Sequence, residues 1–254
     1  MLSAILFDLD GTLVNTDPLH FAIWQDLLTQ FKLDIDRNFY QQHISGRTNA
    51  EILQDILPQL SFQEASQFAL DKEIRFRELA QELQPMPGLE RMLAWIETNN
   101  LKTAVVTNAP RDNAIHMLDV LQLSSVFPLV ILAEDAPPGK PDPAPYQLAL
   151  SRLNVESKEA IAFEDSASGI RAAVGAGIFT IGVASTHPPE SLVEAGATMV
   201  IKDFTSDNLW QFIERKISIA EVRTGFLKGG NGSAHNPSAR KTFGSRCANR
   251  SQKR

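Results

Sequence analysis

The chain has 254 residues, 43% hydrophobic and 21% charged, with a formal charge of −6; this is ordinary globular composition, with room for one large or two modest domains. Residues 221–254 carry eight Lys and Arg against one acid, leaving −13 on residues 1–220, and so acidic a body is not expected to bind nucleic acid. Cys247 is the only cysteine, which excludes a disulfide framework and thiolate metal sites from the body, and no apolar run reaches the roughly 18 residues of a membrane span.

In chain order, residues 4–9 read as a buried strand. A helix is expected over 18–32, with Leu19, Ile23, Leu27 and Phe31 on one face, Asp17 as its cap and Pro18 at its first position. From there to about Gln84 the pattern is wholly helical: Ile52, Ile56, Leu60, Phe68 and Phe76 recur at helical intervals and no β-branched run intervenes. Pro85-Met86-Pro87-Gly88 marks a break. Helices then alternate with strands: helices over 89–99, 112–121, 144–153, 168–176, 191–195 and 208–219, strands over 102–107, 129–133, 160–163, 180–183 and 199–201.

Such alternation implies an α/β fold, a Rossmann-like parallel sheet with helices on both faces, whose ligands bind at the carboxyl ends of the strands. An all-helical insert enters just after the first strand and would stand over those ends as a lid. The expected organisation is a core of residues 1–15 and 86–220, a helical cap of 16–85, and a basic tail of 221–254. The tail holds Gly-Gly-Asn-Gly-Ser and few large apolar residues, so it is expected to be disordered. The N-terminus lacks a basic stretch and Asp8 interrupts its apolar run, so no signal peptide is expected and the cytoplasm is the default location.

Three strand ends and one loop carry polar groups. Asp8-Leu9-Asp10-Gly11-Thr12 ends the first strand; side chains alternate along a strand, so Asp8 and Asp10 point roughly the same way. Two crowded acids raise each other's pKa unless a cation or shared proton intervenes, an arrangement suited to a Mg²⁺ site and a nucleophile with an acid/base partner. Thr107-Asn108 ends the second strand, Gly139-Lys140-Pro141 holds a lysine in a loop, and Glu164-Asp165 closes the strand at 160–163. Each piece alone has a blander reading: Asp-Gly as a turn, Thr-Asn as a strand-end cap, Lys140 as a solvated lysine, Glu164-Asp165 as the cap of the helix near Ser168. Their order, at predicted strand ends and the one loop, makes coincidence a poor explanation.

This order and spacing resembles the four motifs of the haloacid dehalogenase superfamily over residues 1 to about 215. The resemblance implies that Asp8 is the nucleophile that becomes an aspartyl-phosphate, and that Asp10 is the general acid and base. It implies that Thr107 and the amide of Asn108 bind phosphate oxygens, that Lys140 offsets charge, and that Mg²⁺ is held by Asp8, Asp10, Asp165 and Glu164. The acid at position 10 resembles the phosphatase and phosphomutase branch, since true dehalogenases lack it.

Asn15-Thr16-Asp17-Pro18-Leu19-His20, followed by Trp24, resembles the β-phosphoglucomutase-like subfamily. His20, Thr12, Gly46 and Arg47 are its implied substrate contacts, Gly46 and Arg47 on a cap loop that reaches the active site. For Trp24 and His20 the alternative is packing within the cap, and for Arg47 an exposed loop arginine. The segment Val106–Asn113 resembles the plant-type broad sugar-phosphate phosphatases more than the mutase. The implied function is Mg²⁺-dependent hydrolysis of small sugar or polyol monophosphates by a monomer. The alternatives are a hexose-phosphate mutase and a non-catalytic phospho-ligand binder.

Overall fold

The structure is a computed structural model that describes residues 1–215. Six strands form one parallel sheet: β1 (Ala4–Phe7), β2 (Lys102–Thr107), β3 (Val130–Leu132), β4 (Ala160–Glu164), β5 (Phe179–Val183) and β6 (Met199–Ile201). Their spatial order is β3-β2-β1-β4-β5-β6. The chain builds outward on one side of β1, then crosses back to begin the other side with β4. The strand order therefore reverses beside β1, and a crevice opens at the carboxyl ends there.

Period-two alternation assigns the strand side chains to two faces. Ile5, Phe7, Val105, Ile161, Phe163, Ile181 and Val183 fill one apolar layer. It is covered by helices α5 (Leu89–Thr98) and α6 (Arg111–Val120), and by the helix over 207–215. Ala4, Leu6, Ala104, Val106, Ala160 and Ala162 line the other face beneath α7 (Ala144–Leu153) and α8 (Ala167–Gly175). The small side chains of that second face let these two helices lie close to the sheet. Helix α9 (Pro189–Ala195) joins β5 to β6.

Between β1 and α5 lie four helices: α1 (Asp17–Thr29), α2 (Arg37–His43), α3 (Asn49–Ile56) and α4 (Phe62–Leu79). They have an apolar cluster of their own, built on Trp24, Leu28, Tyr40, Ile52 and Leu53. Both α3 and α4 begin with reciprocal capping boxes, Thr48 with Glu51 and Ser61 with Glu64. The chain leaves and re-enters the sheet-bearing part at adjacent points: Val14 bridges Pro85, and Leu13 O accepts from Met86 N at 2.8 Å.

Several boundaries differ from expectation. The first strand ends at Phe7 rather than 9, because the chain turns after Asp8. Helix α1 runs Asp17–Thr29, with Thr16 rather than Asp17 at its N-cap and Pro18 in the second position. Its end is closed early by a turn in which Lys32 has φ +60°. Ser166 caps α8, its hydroxyl accepting from Gly169 N at 3.0 Å, so Glu164 and Asp165 are free of that duty. The expected tail over 221–254, and the end of the helix expected over 208–219, lie outside the described residues.

Candidate active site

The strand ends bring distant residues together. Lys140, from the loop after β3, places its Nζ 2.6 Å from Asp8 Oδ1 and 2.5 Å from Glu164 Oε1. Asp8, Glu164 and Asp165 offer carboxylate oxygens within 4.8 Å of one another, and all three residues are buried. Three carboxylates against one ammonium leave two formal negative charges uncompensated. Burial, and then the Glu164 and Asp10 charges, push the Asp8 carboxyl up to about 7 despite Lys140. Burial and the Asp8 and Glu164 charges hold Asp165 well above its ordinary value. Burial alone would lower Lys140, but the two carboxylates beside it hold it protonated and above the usual lysine range. An all-oxygen donor set short of two positive charges fits a hard divalent cation.

Two glycines make this crowding possible. Gly11 has φ +79°, and a Cβ there would overlap the Asp165 carboxylate. A Cβ on Gly169, in α8, would fall inside the Glu164 carboxylate. Tyr146 of α7 donates its hydroxyl to Glu164 Oε1 at 2.8 Å. The loop after β5 adds a further tie, as the Thr186 hydroxyl donates to Asp165 Oδ2.

Asp10 is set apart from this cluster. Its carboxylate accepts from the Thr16 hydroxyl, and its Oδ1 lies 3.7 Å from His20 Nε2. Burial works to raise it, but His20 and Thr16 outweigh that and hold the carboxyl below its usual range. His20 is fixed in turn by stacking on Phe76 of α4, with ring centroids 4.4 Å apart.

A cavity of ≈ 1030 Å³ spans the strand ends and the four helices. Of the residues expected from sequence, Asp8, Asp10, Thr107, Asn108, Lys140 and Asp165 line it from the sheet side. His20, Trp24, Gly46 and Arg47 line it from the helical side. Glu164 and Thr12 are not in the lining: Glu164 is completely buried beneath Lys140, and the buried Thr12 hydroxyl has no hydrogen-bond partner among the described residues.

Other placements qualify the expected contacts. The Asn108 side chain clasps the backbone of Lys140, donating to its O and accepting from its N, each at 3.1 Å. Arg47 donates to Asp55 Oδ2 at 2.9 Å, His43 O at 2.8 Å and Glu51 O at 3.2 Å. Trp24 is buried in the helical cluster while also reaching the cavity.

Sequence reasoning missed Thr16, Lys72, Glu73, Asn113, Thr186 and His187, all of which line the cavity. For Thr186 and His187 a signal existed, since they follow a strand end. Lys72 and Glu73 fall between the periodic Phe68 and Phe76 with nothing local to single them out, and both are buried and paired at 2.9 Å.

The family model described as haloacid dehalogenase-like hydrolase matches residues 5–183. The chain is 31% identical over 205 residues to the phosphorylated carbohydrates phosphatase of Thermotoga maritima, covering 79% of this chain and 94% of that one. It is 34% identical over 208 residues to the validoxylamine A 7'-phosphate phosphatase of Streptomyces hygroscopicus subsp. limoneus, covering 81% and 95%. Its fold is similar to a crystal structure of β-phosphoglucomutase from Clostridium difficile, with TM-score 0.74, 28% identity, and coverage of 87% of this chain and 100% of that one.

Proposed function

The chain belongs to the haloacid dehalogenase-like hydrolases and is a phosphoric monoester hydrolase; on that premise we propose that it hydrolyses monophosphates of sugars or polyols, with Mg²⁺, through an aspartyl-phosphate on Asp8. The observation that carries this reading is the Asp8, Lys140 and Asp165 cluster at the cavity floor, with Asp10 held apart by Thr16 and His20.

Asp8, Asp165 and Glu164 have the oxygen chemistry to hold the cation, with Asp8 and Asp165 facing the cavity. When bound, Mg²⁺ supplies charge neutralisation for the phosphoryl oxygens and keeps Asp8 ionised. The Asp8 carboxylate attacks phosphorus, and the bond from phosphorus to the ester oxygen breaks. Asp10 takes up a proton from solvent as the phosphate dianion approaches and raises its carboxyl, and gives that proton to the leaving oxygen. Asp10, now ionised, takes a proton from water, whose oxygen attacks phosphorus. The bond to Asp8 then breaks, releasing inorganic phosphate and restoring both aspartates. Lys140 and the Thr107 hydroxyl stabilise the charge on the transferring group.

Helices α1–α4 act as the cap that closes over the bound ester. Hydrolysis is favoured over mutase chemistry by Arg47. A mutase working through a phosphoenzyme must hold a bisphosphate, and so needs a free cation away from the nucleophile. The guanidinium of Arg47 is committed to Asp55 and two backbone carbonyls, and Lys72 is paired with Glu73. A neutral polyhydroxyl portion suits such a wall. The reading is tested by Mg²⁺-dependent phosphate release from sugar and polyol monophosphates, comparing the wild type with Asp8→Asn.

A further inference from the structure

Helix α4 lies along α6, and the contact is polar where it borders the cavity. Glu73 and Arg77 are four residues apart on α4 and so share a face. Both reach Asn113 on α6. Asn113 Nδ2 donates to Glu73 Oε2 at 2.5 Å, and Asn113 Oδ1 accepts from Arg77 Nη1 at 2.6 Å. One turn on, His116 Nε2 lies 2.8 Å from Ala80 O. The amide's orientation is fixed by its partners, because a carboxylate demands a donor and a guanidinium demands an acceptor.

Glu73 is the node of this contact. Its Oε1 accepts from Lys72 Nζ at 2.9 Å and from Asn49 Nδ2, on α3, at 2.5 Å. Glu73 is only 8% exposed, so a lost donor there leaves a buried charged oxygen unsatisfied. The four helices join the sheet-bearing part through two adjacent chain segments, bridged at Val14 and Pro85. Asn113 is on the sheet-bearing side of the contact; Glu73, Lys72 and Asn49 are on the helical side.

We infer that Asn113 is a positioning residue: by receiving Glu73 and Arg77 of α4 it latches the helical segment over the cavity, and through Glu73 it fixes Lys72 and Asn49 where the substrate's non-phosphate portion sits. This rests on the phosphatase reading above. Asn is the residue for the task because it presents a donor and an acceptor together. Leu would offer neither, and Asp would set a carboxylate against Glu73.

The test measures KM and kcat for the best sugar monophosphate and for acetyl phosphate, which is too small to span the cavity to α4. Asn113→Ala is expected to raise KM for the sugar monophosphate about tenfold, in keeping with loss of a hydrogen bond to a charged group. It should change kcat, and KM for acetyl phosphate, by less than about threefold. Asn113→Asp, which sets a carboxylate against Glu73, is expected to be worse on the sugar ester. Equal losses on both substrates, or an Asn113→Asp variant no worse than the wild type on the sugar ester, would overturn the latch.

A second measurement does not need turnover, so failure of the phosphatase reading leaves it intact. The Asn113 side-chain NH₂ signals of ¹⁵N-labelled protein, identified by their loss in Asn113→Ala, should move in Glu73→Ala. Signals that stay in place in that variant contradict the contact.

Discussion

Lys140 Nζ lies 2.6 Å from Asp8 Oδ1, although 132 residues of chain separate them. The ammonium is the sole positive charge within the buried Asp8, Glu164 and Asp165 cluster among the described residues. Lys140→Met therefore removes the partner of two buried carboxylates. Breaking such a pair costs about 3 kcal/mol or more. Urea unfolding should show a loss of that order at pH 8 and a smaller one at pH 5, where Asp8 takes up a proton instead. Phosphate release should fall at least about a hundredfold, since the same charge stabilises the transferring group.

Gly169 gives a prediction in which two effects oppose. Glycine inside a helix costs about 1 kcal/mol relative to alanine, so Gly169→Ala would stabilise α8 in isolation. Here the added Cβ would occupy the space of the Glu164 carboxylate, which is completely buried and bonded to Lys140 and Tyr146. The clash wins: Gly169→Ala should lower the thermal midpoint and weaken Mg²⁺ binding, read by calorimetric titration. A gain in stability with unchanged Mg²⁺ affinity would mean that Glu164 is not held there.

The raised carboxyls predict how stability depends on pH. Without a bound cation, burial pushes the Asp8 carboxyl from its ordinary 3.8 up to about 7, and raises Asp165 as well. Between those values the folded state binds protons that the unfolded chain has released. The contribution is complete below about pH 4 and is lost as pH rises through about 7. A cation that occupies the cluster replaces those protons. The rise in thermal midpoint on adding Mg²⁺ should accordingly be larger at pH 8 than at pH 5, and the reverse order would contradict the assignment of these carboxylates.

Most of the sheet was legible because each strand is a short Val-, Ile- or Ala-rich run bounded by polar residues, and the strand-end motifs follow from those runs. The helical segment was legible because no β-branched run occurs between Asp17 and Gln84. What escaped depends on contacts between distant segments. Thr16 was overlooked because its hydroxyl serves Asp10 rather than the helix that it precedes. Asn113 sits in α6 with nothing local to mark it, and its partners lie 40 and 36 residues away. Lys72 and Glu73 are buried only because the chain folds α4 against Asn113 and the cavity wall. The Arg47 loop was recognised as a motif, but the competition of Asp55 for its guanidinium is visible only once α3 is folded.

The proposed reaction is hydrolysis of a sugar or polyol monophosphate by Asp8 with Mg²⁺. Its most direct test is phosphate release from a panel of such esters, with Mg²⁺ and with EDTA, by the wild type and by Asp8→Asn. β-Glucose 1-phosphate belongs in the panel and is followed separately for conversion to glucose 6-phosphate. Mg²⁺-dependent phosphate release from several esters, abolished in Asp8→Asn and without isomerisation, is the expected result. Isomerisation without phosphate release, or substantial turnover by Asp8→Asn, would contradict it.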